Sequence, residues 1–261
     1  MKRLLLALGL GGSLLGALEL PTVHVPFTAA PVSVDGVLDD AVWARAGVIT
    51  ALLPAQGSQQ TAAQIERLPT EIRLLWDAQA LYVSFRCIDD DIYAAGTVPH
   101  DGNVYTDDVC EVFLDPKGDG RQWIEIQVNS LNQTLDLNSL NVGDPACKPS
   151  GRLVSTIDLF AFREWEAIGM KTASGRLREG DKVVGWTVEM AIPASALTKR
   201  LGTKELSAGA MRGNLMRYDH PVRPGQERRD MLFMNWSPVE PGCPHISPAA
   251  MGTITLDPAG P

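Results

Sequence analysis

From Val109 to Asn129, polar and apolar residues alternate with period two. The first run is Val109-Cys110-Glu111-Val112-Phe113-Leu114-Asp115, and the second is Trp123-Ile124-Glu125-Ile126-Gln127-Val128-Asn129. Alternation sends successive side chains to opposite faces of a strand, and Pro116-Lys117-Gly118-Asp119-Gly120 between the runs supplies turn residues. The stretch therefore predicts a β-hairpin. Thr70–Trp76 and Leu81–Ile88 alternate in the same way around Asp77-Ala78-Gln79, as do Lys182–Ile192, Met211–Tyr218 and Gly252–Leu256. Pro31–Gly36 predicts a short strand and turn. Leu38–Trp43 predicts one helical turn with Asp39 or Asp40 near its start, and Pro193–Leu197 a short helix led by proline. Asn138–Arg152 reads as loop, and Leu153–Ile157 as irregular or strand. No long helical period occurs. Many short strands with few short helices predict an all-β antiparallel sandwich, immunoglobulin-like or jelly-roll-like, as one domain over residues 31–257.

Composition narrows the setting. The chain has 261 residues, 45% of them hydrophobic, enough for a large core. Met1-Lys2-Arg3 followed by an apolar run from Leu4 to Leu18 reads as a secretory signal over residues 1–18, too short for a comfortable membrane span. The expectation is an exported chain, periplasmic or extracellular, with no membrane attachment after removal of the signal. The formal net charge of −8 repels nucleic acid and anionic lipid, which both depend on Lys and Arg. Cys87 and Cys110 fall on core-facing positions suited to free thiols, while Cys147 and Cys243, in Pro/Gly-rich loops, are the better disulfide candidates.

The polar side of the hairpin carries the candidate chemistry. Glu111, Glu125, Gln127 and Asn129 are regularly spaced carboxylates and amides where a structural hairpin more often has Thr, Lys or Ser. With Tyr105 just before them, they suit a polar, flat ligand such as a sugar: a ring stacks on its C–H face and polar groups hold its hydroxyls. Arg86 alternates with Phe85 and Cys87 as Glu111 does with Cys110 and Val112. The two either form an ordinary ion pair or both face a sugar, and Arg217 has the same ambiguity. Trp236, beside Ser-Pro in a Pro/Gly-rich loop, is placed for exposure, whereas Trp43, Trp76 and Trp186 sit in patterns of core packing. Asp115–Gly120 has the oxygen-rich look of a calcium loop, with Asp115 and Asp119 as candidate ligands, and equally the look of a plain turn. Glu111 with Glu125 could in principle supply the carboxylate pair of a glycoside hydrolase, yet such pairs are common on sheets and no other catalytic motif accompanies them. No catalytic residue is assigned.

Several segments, in order, resemble family 9 carbohydrate-binding modules and their relatives in the DOMON-like superfamily. They are Val34-Asp35-Gly36 with Asp39-Asp40 and Trp43; Leu81-Tyr82-Val83 through Asp89-Asp90; and Asp107-Asp108-Val109 with Glu111–Pro116. Gly185–Glu189 with Ala191-Ile192-Pro193 follows, then Arg212, Asn214 and Arg217, then Asn235-Trp236-Ser237-Pro238 with His245, Pro248 and Gly252. The resemblance implies a sandwich that binds an oligosaccharide or polysaccharide chain end without cleaving it, in support of carbohydrate catabolism. By position it implies Tyr105 and Trp236 as the clamping aromatics and Glu111 as the nearby carboxylate, with Gln127 and Asn129 as further contacts. His245 is implied as a loop-fixing group, and calcium as a metal that family members carry. Two alternatives stand beside this reading. One is a haem b electron carrier of the DOMON type, using Met170, Met190, Met211 or Met216 as a ligand. The other is an accessory subunit that binds an exported enzyme.

Overall fold

The computed structural model describes residues 20–55, 62–141, 159–220, 231–239 and 248–260. The signal segment, Leu153–Ile157, Cys147, Cys243 and His245 lie outside the described residues. The strands are β1 (Thr22–Val25), β2 (Gly47–Ile49), β3 (Leu53–Pro54), β4 (Thr70–Trp76), β5 (Ala80–Ile88), β6 (Val109–Asp115) and β7 (Gln122–Asn129). They continue as β8 (Thr134–Asn141), β9 (Leu159–Phe162), β10 (Lys171–Glu179), β11 (Lys182–Pro193), β12 (Gly209–Asp219), β13 (Leu232–Asn235) and β14 (Gly252–Leu256). Two short helices, α1 (Ala62–Glu66) and α2 (Ala194–Leu201), join them. No helix among the described residues is long and apolar enough to cross a membrane.

The larger sheet runs β1-β14-β12-β6-β7-β8-β9, with β13 and β3 attached beside β12; the smaller runs β10-β11-β5-β4-β2. Neighbours are antiparallel except β1 and β14, which run parallel with Thr22 opposite Thr253. Ile72, Val83, Phe85, Trp186 and Val188 of the smaller sheet meet Val112, Leu114, Ile124, Ile126 and Leu215 of the larger in one buried core. The antiparallel sandwich read from the alternation is the fold observed. The sheet begins earlier than residue 31, because β1 is one of its strands, and β8 runs to Asn141 through a stretch read as loop.

Each motif has a local physical task. Pro31–Gly36 forms no strand. Its end is instead fastened by Glu189, whose Oε2 accepts the N–H groups of Asp35 (3.0 Å) and Gly36 (2.9 Å) while Oε1 accepts Trp43 Nε1 (3.1 Å). Gly36 has φ +84°, and a Cβ there would lie 2.8 Å from the Ser174 backbone, so only glycine fits. Asp115 closes the hairpin turn: Oδ1 accepts Gly118 N–H (2.9 Å) and Oδ2 accepts Gly120 N–H (2.7 Å). Both oxygens thus accept backbone N–H groups, and Asp119 Oδ1 accepts Arg121 N–H. Asp115 and Asp119, the weak calcium candidates, therefore serve as the turn-closing side chains.

Arg217 joins the two layers. It is fully buried beneath β12, where Nη1 donates to Thr70 Oγ1 (3.1 Å) and Ile88 O (3.0 Å) and Nη2 to Asp89 Oδ2 (3.0 Å). Asp219 lies 3.5 Å from the same nitrogen. Beside it, the free thiols of Cys87 on β5 and Cys110 on β6 face each other across the sheets at 3.6 Å. Removing one partner of a buried ion pair strands the other charge in the core. Arg217→Met is therefore expected to lower stability by about 3–5 kcal/mol in urea unfolding. An unfolding midpoint close to that of the wild type would show that the network contributes little.

Candidate functional site

The face of the larger sheet turned away from the sandwich core has a grid fixed by strand register. One row crosses four strand boundaries: Asn235, Met216, Glu111, Gln127 and Leu135 lie directly opposite one another in turn. The row on one side is Phe233, Tyr218, Val109 and Asn129; on the other it is Asn214, Phe113, Glu125 and Leu137. Within this grid Gln127 Nε2 donates to Glu111 Oε1 (2.7 Å) and to Glu125 Oε1 (2.6 Å). One carboxamide thus ties two carboxylates on adjacent strands. Apolar groups surround them: Val104, Val109, Phe113, Trp123, Leu135, Leu137, Met216 and Tyr218 form a second buried cluster on this face. Tyr218 and Phe233 meet edge to face with centroids 4.7 Å apart.

Two consecutive aspartates fasten the loops over this face. Asp107 Oδ1 accepts Ala95 N–H and its Oδ2 accepts Asn129 Nδ2. Asp108 Oδ2 accepts Tyr93 N–H and its Oδ1 accepts His220 N–H, both at 2.6 Å. The loop they hold ends in the 3-10 turn Val104–Thr106, where Val104 is buried in the cluster and Tyr105 stands 38% exposed. Burial raises the Asp108 pKa to about 8, aided by the nearby Asp219 charge and opposed by the two backbone donors. Asp219 rises to about 6 through burial, although Arg217 pulls it down.

The family described as carbohydrate family 9 binding domain-like matches residues 34–259. The chain belongs to this family. Among solved structures it is similar to family 9 modules from Caldicellulosiruptor kristjanssonii, one in complex with cellotriose and one with glucose. Each is 19% identical with a TM-score of 0.57; the match covers 92% of this chain and 95% or 97% of theirs. A Bacteroides uniformis protein provisionally described as carbohydrate-binding has a TM-score of 0.61 at 18% identity, over 92% of this chain and 100% of that one. These likenesses establish the shared fold. No curated protein matches the chain in sequence.

Within this family 9 domain, the residues expected to form one site divide among three places. Glu111, Gln127 and Asn129 share the outer face of the larger sheet, and Tyr105 stands in the turn that leads to it. Asn129 is fully engaged there: Nδ2 donates to Asp107 and Gln133, and Oδ1 accepts Leu131 and Gln133 N–H, so it fastens a turn. Arg86 lies on the opposite side of the molecule, exposed on the smaller sheet between Thr187 and Glu71. It cannot pair with Glu111. Arg217 points into the sandwich, as the alternation of β12 requires once Met216 and Tyr218 face outward.

Trp236 requires the plainest correction. It is only 6% exposed and packs in the sandwich core, its ring tips over Gly252, where a Cβ would meet them at 2.7 Å. Period two turns its neighbour Asn235 to the outer face, level with Glu111. Asn235 was missed because a tryptophan beside Ser-Pro drew the exposed assignment, yet alternation from Met234 carries no cue to which of the two faces inward. Glu125 joins the row through Gln127. The methionines named for haem are packing groups: Met190 and Met211 in the sandwich core, Met170 against it, and Met216 in the outer cluster.

Two cavities lie elsewhere. One of about 420 Å³ is bordered by Thr22, Ile49, Leu53, Trp236 and Pro238. Another of about 750 Å³ is bordered by Arg67, Asp89, Asp90, Asp91, Lys182 and Asp219. Neither touches the Glu111–Gln127 row. That row is itself enclosed, Glu111 and Gln127 each being at most 2% exposed.

Two outcomes follow from this geometry. Trp236→Ala is expected to cost about 3–5 kcal/mol of stability by opening a core cavity; a thermal scan with an unchanged midpoint would place the ring outside the core. The pH dependence has a definite sign. Asp108 holds its proton up to about pH 8 when folded, against an ordinary value of 3.8, so folding takes up a proton in that window. Stability therefore falls as pH rises from about 4 to about 8, by at most about 1.4 kcal/mol per unit for each such group. Asp219 acts in the same direction only up to about pH 6. Asp108→Asn should thus flatten the slope of melting temperature between about pH 6 and 8, while an unaltered slope would assign it to other groups.

Proposed function

We propose that this domain binds carbohydrate without cleaving it, on the outer face of the larger sheet beneath the Tyr105 turn. One observation carries the reading. Gln127 Oε1, Trp123 Nε1 and Asn235 Oδ1 are buried on or beside the polar row and lack hydrogen-bond partners among the described residues. Buried polar atoms are nearly always bonded, and these comprise acceptors and a donor. A sugar hydroxyl, able to donate and accept, answers both. The carboxylates of Glu111 and Glu125 add strong acceptors, and the Tyr105 ring offers a stacking surface. Family membership supports the same reading, as do the cellotriose and glucose complexes of the Caldicellulosiruptor modules.

A non-catalytic role accords with how Glu111 and Glu125 are used, since one amide draws both toward itself on a closed sheet face. The basic start and apolar run of residues 1–18 support export, and an oligosaccharide or polysaccharide chain end is the ligand class inferred. The test is a tryptophan-fluorescence titration with glucose and with cello-, xylo- and manno-oligosaccharides, alongside their borohydride-reduced forms. A saturable change is expected. Glu111→Gln should weaken it by about 1–3 kcal/mol, Tyr105→Ala should also weaken it, and Arg86→Ala, on the far sheet, should leave it unaltered. A flat response across the panel sinks the carbohydrate reading. Loss of binding on reduction identifies chain-end recognition.

A further inference from the structure

Three ligand-type groups from two distant loops converge at the edge of β8, away from the polar row. His100 Nε2 stands 3.2 Å from Glu166 Oε1, 3.3 Å from Glu166 Oε2 and 3.6 Å from Asp101 Oδ2. Atoms bound to a tetrahedral ion at about 2.0–2.2 Å are themselves about 3.3–3.6 Å apart, so these spacings are those of a coordination shell. The anchoring around them has the same character. His100 Nδ1 is held by Thr134 Oγ1 at 3.0 Å, which fixes the ring and leaves Nε2 toward the carboxylates. Asp101 Oδ1 accepts Asp136 N–H, leaving Oδ2 toward His100.

Asp136 supplies an independent observation. It lies two residues from Thr134 on the same face of β8, is 1% exposed, and has Oδ2 committed to Ala167 N–H at 2.6 Å. Its Oδ1 is buried with no hydrogen-bond partner among the described residues. A buried carboxylate oxygen without a partner, within electrostatic reach of His100, Asp101 and Glu166, favours a cation nearby. Arg163 is bonded to the Asp101 carbonyl and to Asn103 and spends these donors on neutral oxygens, while Arg200 donates to Asn138 Oδ1 further along β8.

We propose that His100, Asp101 and Glu166, backed by Asp136, bind a divalent transition-metal ion of the zinc class, clasping the loop before Tyr105 to β8 and to the segment before β10. One imidazole among carboxylates suits zinc, cobalt or nickel and disfavours calcium and magnesium, which take oxygen ligands. The site is separate from the sugar-binding reading and stands without it.

The test is isothermal titration of the full metal-stripped chain with zinc chloride, with calcium and magnesium chlorides alongside. One zinc per chain is expected, with a rise in melting temperature. His100→Ala and Glu166→Gln should each weaken zinc at least 100-fold and abolish the rise in melting temperature. Both residues are substantially exposed, so circular dichroism should show an intact fold. His24→Ala, in an exposed His–Asp pair remote in sequence, should bind as the wild type does. No zinc uptake by the wild type, equal affinity in both variants, or calcium bound as tightly as zinc each overturns the proposal and leaves a surface ion-pair network.

Discussion

Strands β6 and β7, and β12 from Gly213 onward, have no face left for water, and the character of this domain follows from that constraint. One face forms the sandwich interior with the smaller sheet; the other lies beneath loops drawn over it. Polar groups on such strands must find partners inside the protein or in a ligand, because the alternative is an unmet desolvation cost. Asp107 and Asp108 meet their share by accepting the backbone donors of the covering loops, so the cover is held by the very residues it buries. Gln127 donates to two carboxylates and keeps an oxygen in reserve. Enclosure and ligand chemistry are one problem on this sheet.

The same constraint accounts for what could be read from the residues alone. Half-buried strands announce themselves by alternation, and Thr70–Trp76, Ala80–Ile88, the hairpin and Gly252–Leu256 were legible for that reason. Lys171–Glu179 was not, because it is an edge strand of Lys, Arg, Ser and Glu that is largely open to solvent and has no apolar phase to detect. Thr22–Val25 is too short to stand out. Which face of a strand turns inward is harder still where both faces are buried. Asn235 and Trp236 were exchanged for this reason, and Arg217 was sent outward because charge normally seeks water. Its placement inside depends on Asp89, which reaches it from 128 residues away in the chain; no local pattern encodes that meeting.

Motifs that look independent along the chain prove to be halves of single locks. Val34-Asp35-Gly36 and Glu189 are separated by more than 150 residues, yet one carboxylate closes the turn of the former and positions Trp43. Asp108 likewise joins Tyr93 to His220. Identity at these positions is dictated by backbone geometry, and the chain keeps the fold of the Caldicellulosiruptor family 9 modules at 19% identity.

The parallel pairing of β1 with β14 has a mechanical consequence. The chain enters β1 at the end of the pair where β14 begins and leaves β14 at the other. Tension applied through segments flanking these strands would slide one along the other, stretching all their hydrogen bonds at once instead of unzipping them singly. Shear of this kind resists force far better than peeling. Force applied through both flanking segments thus meets the β1–β14 pair in shear while the sandwich stays closed.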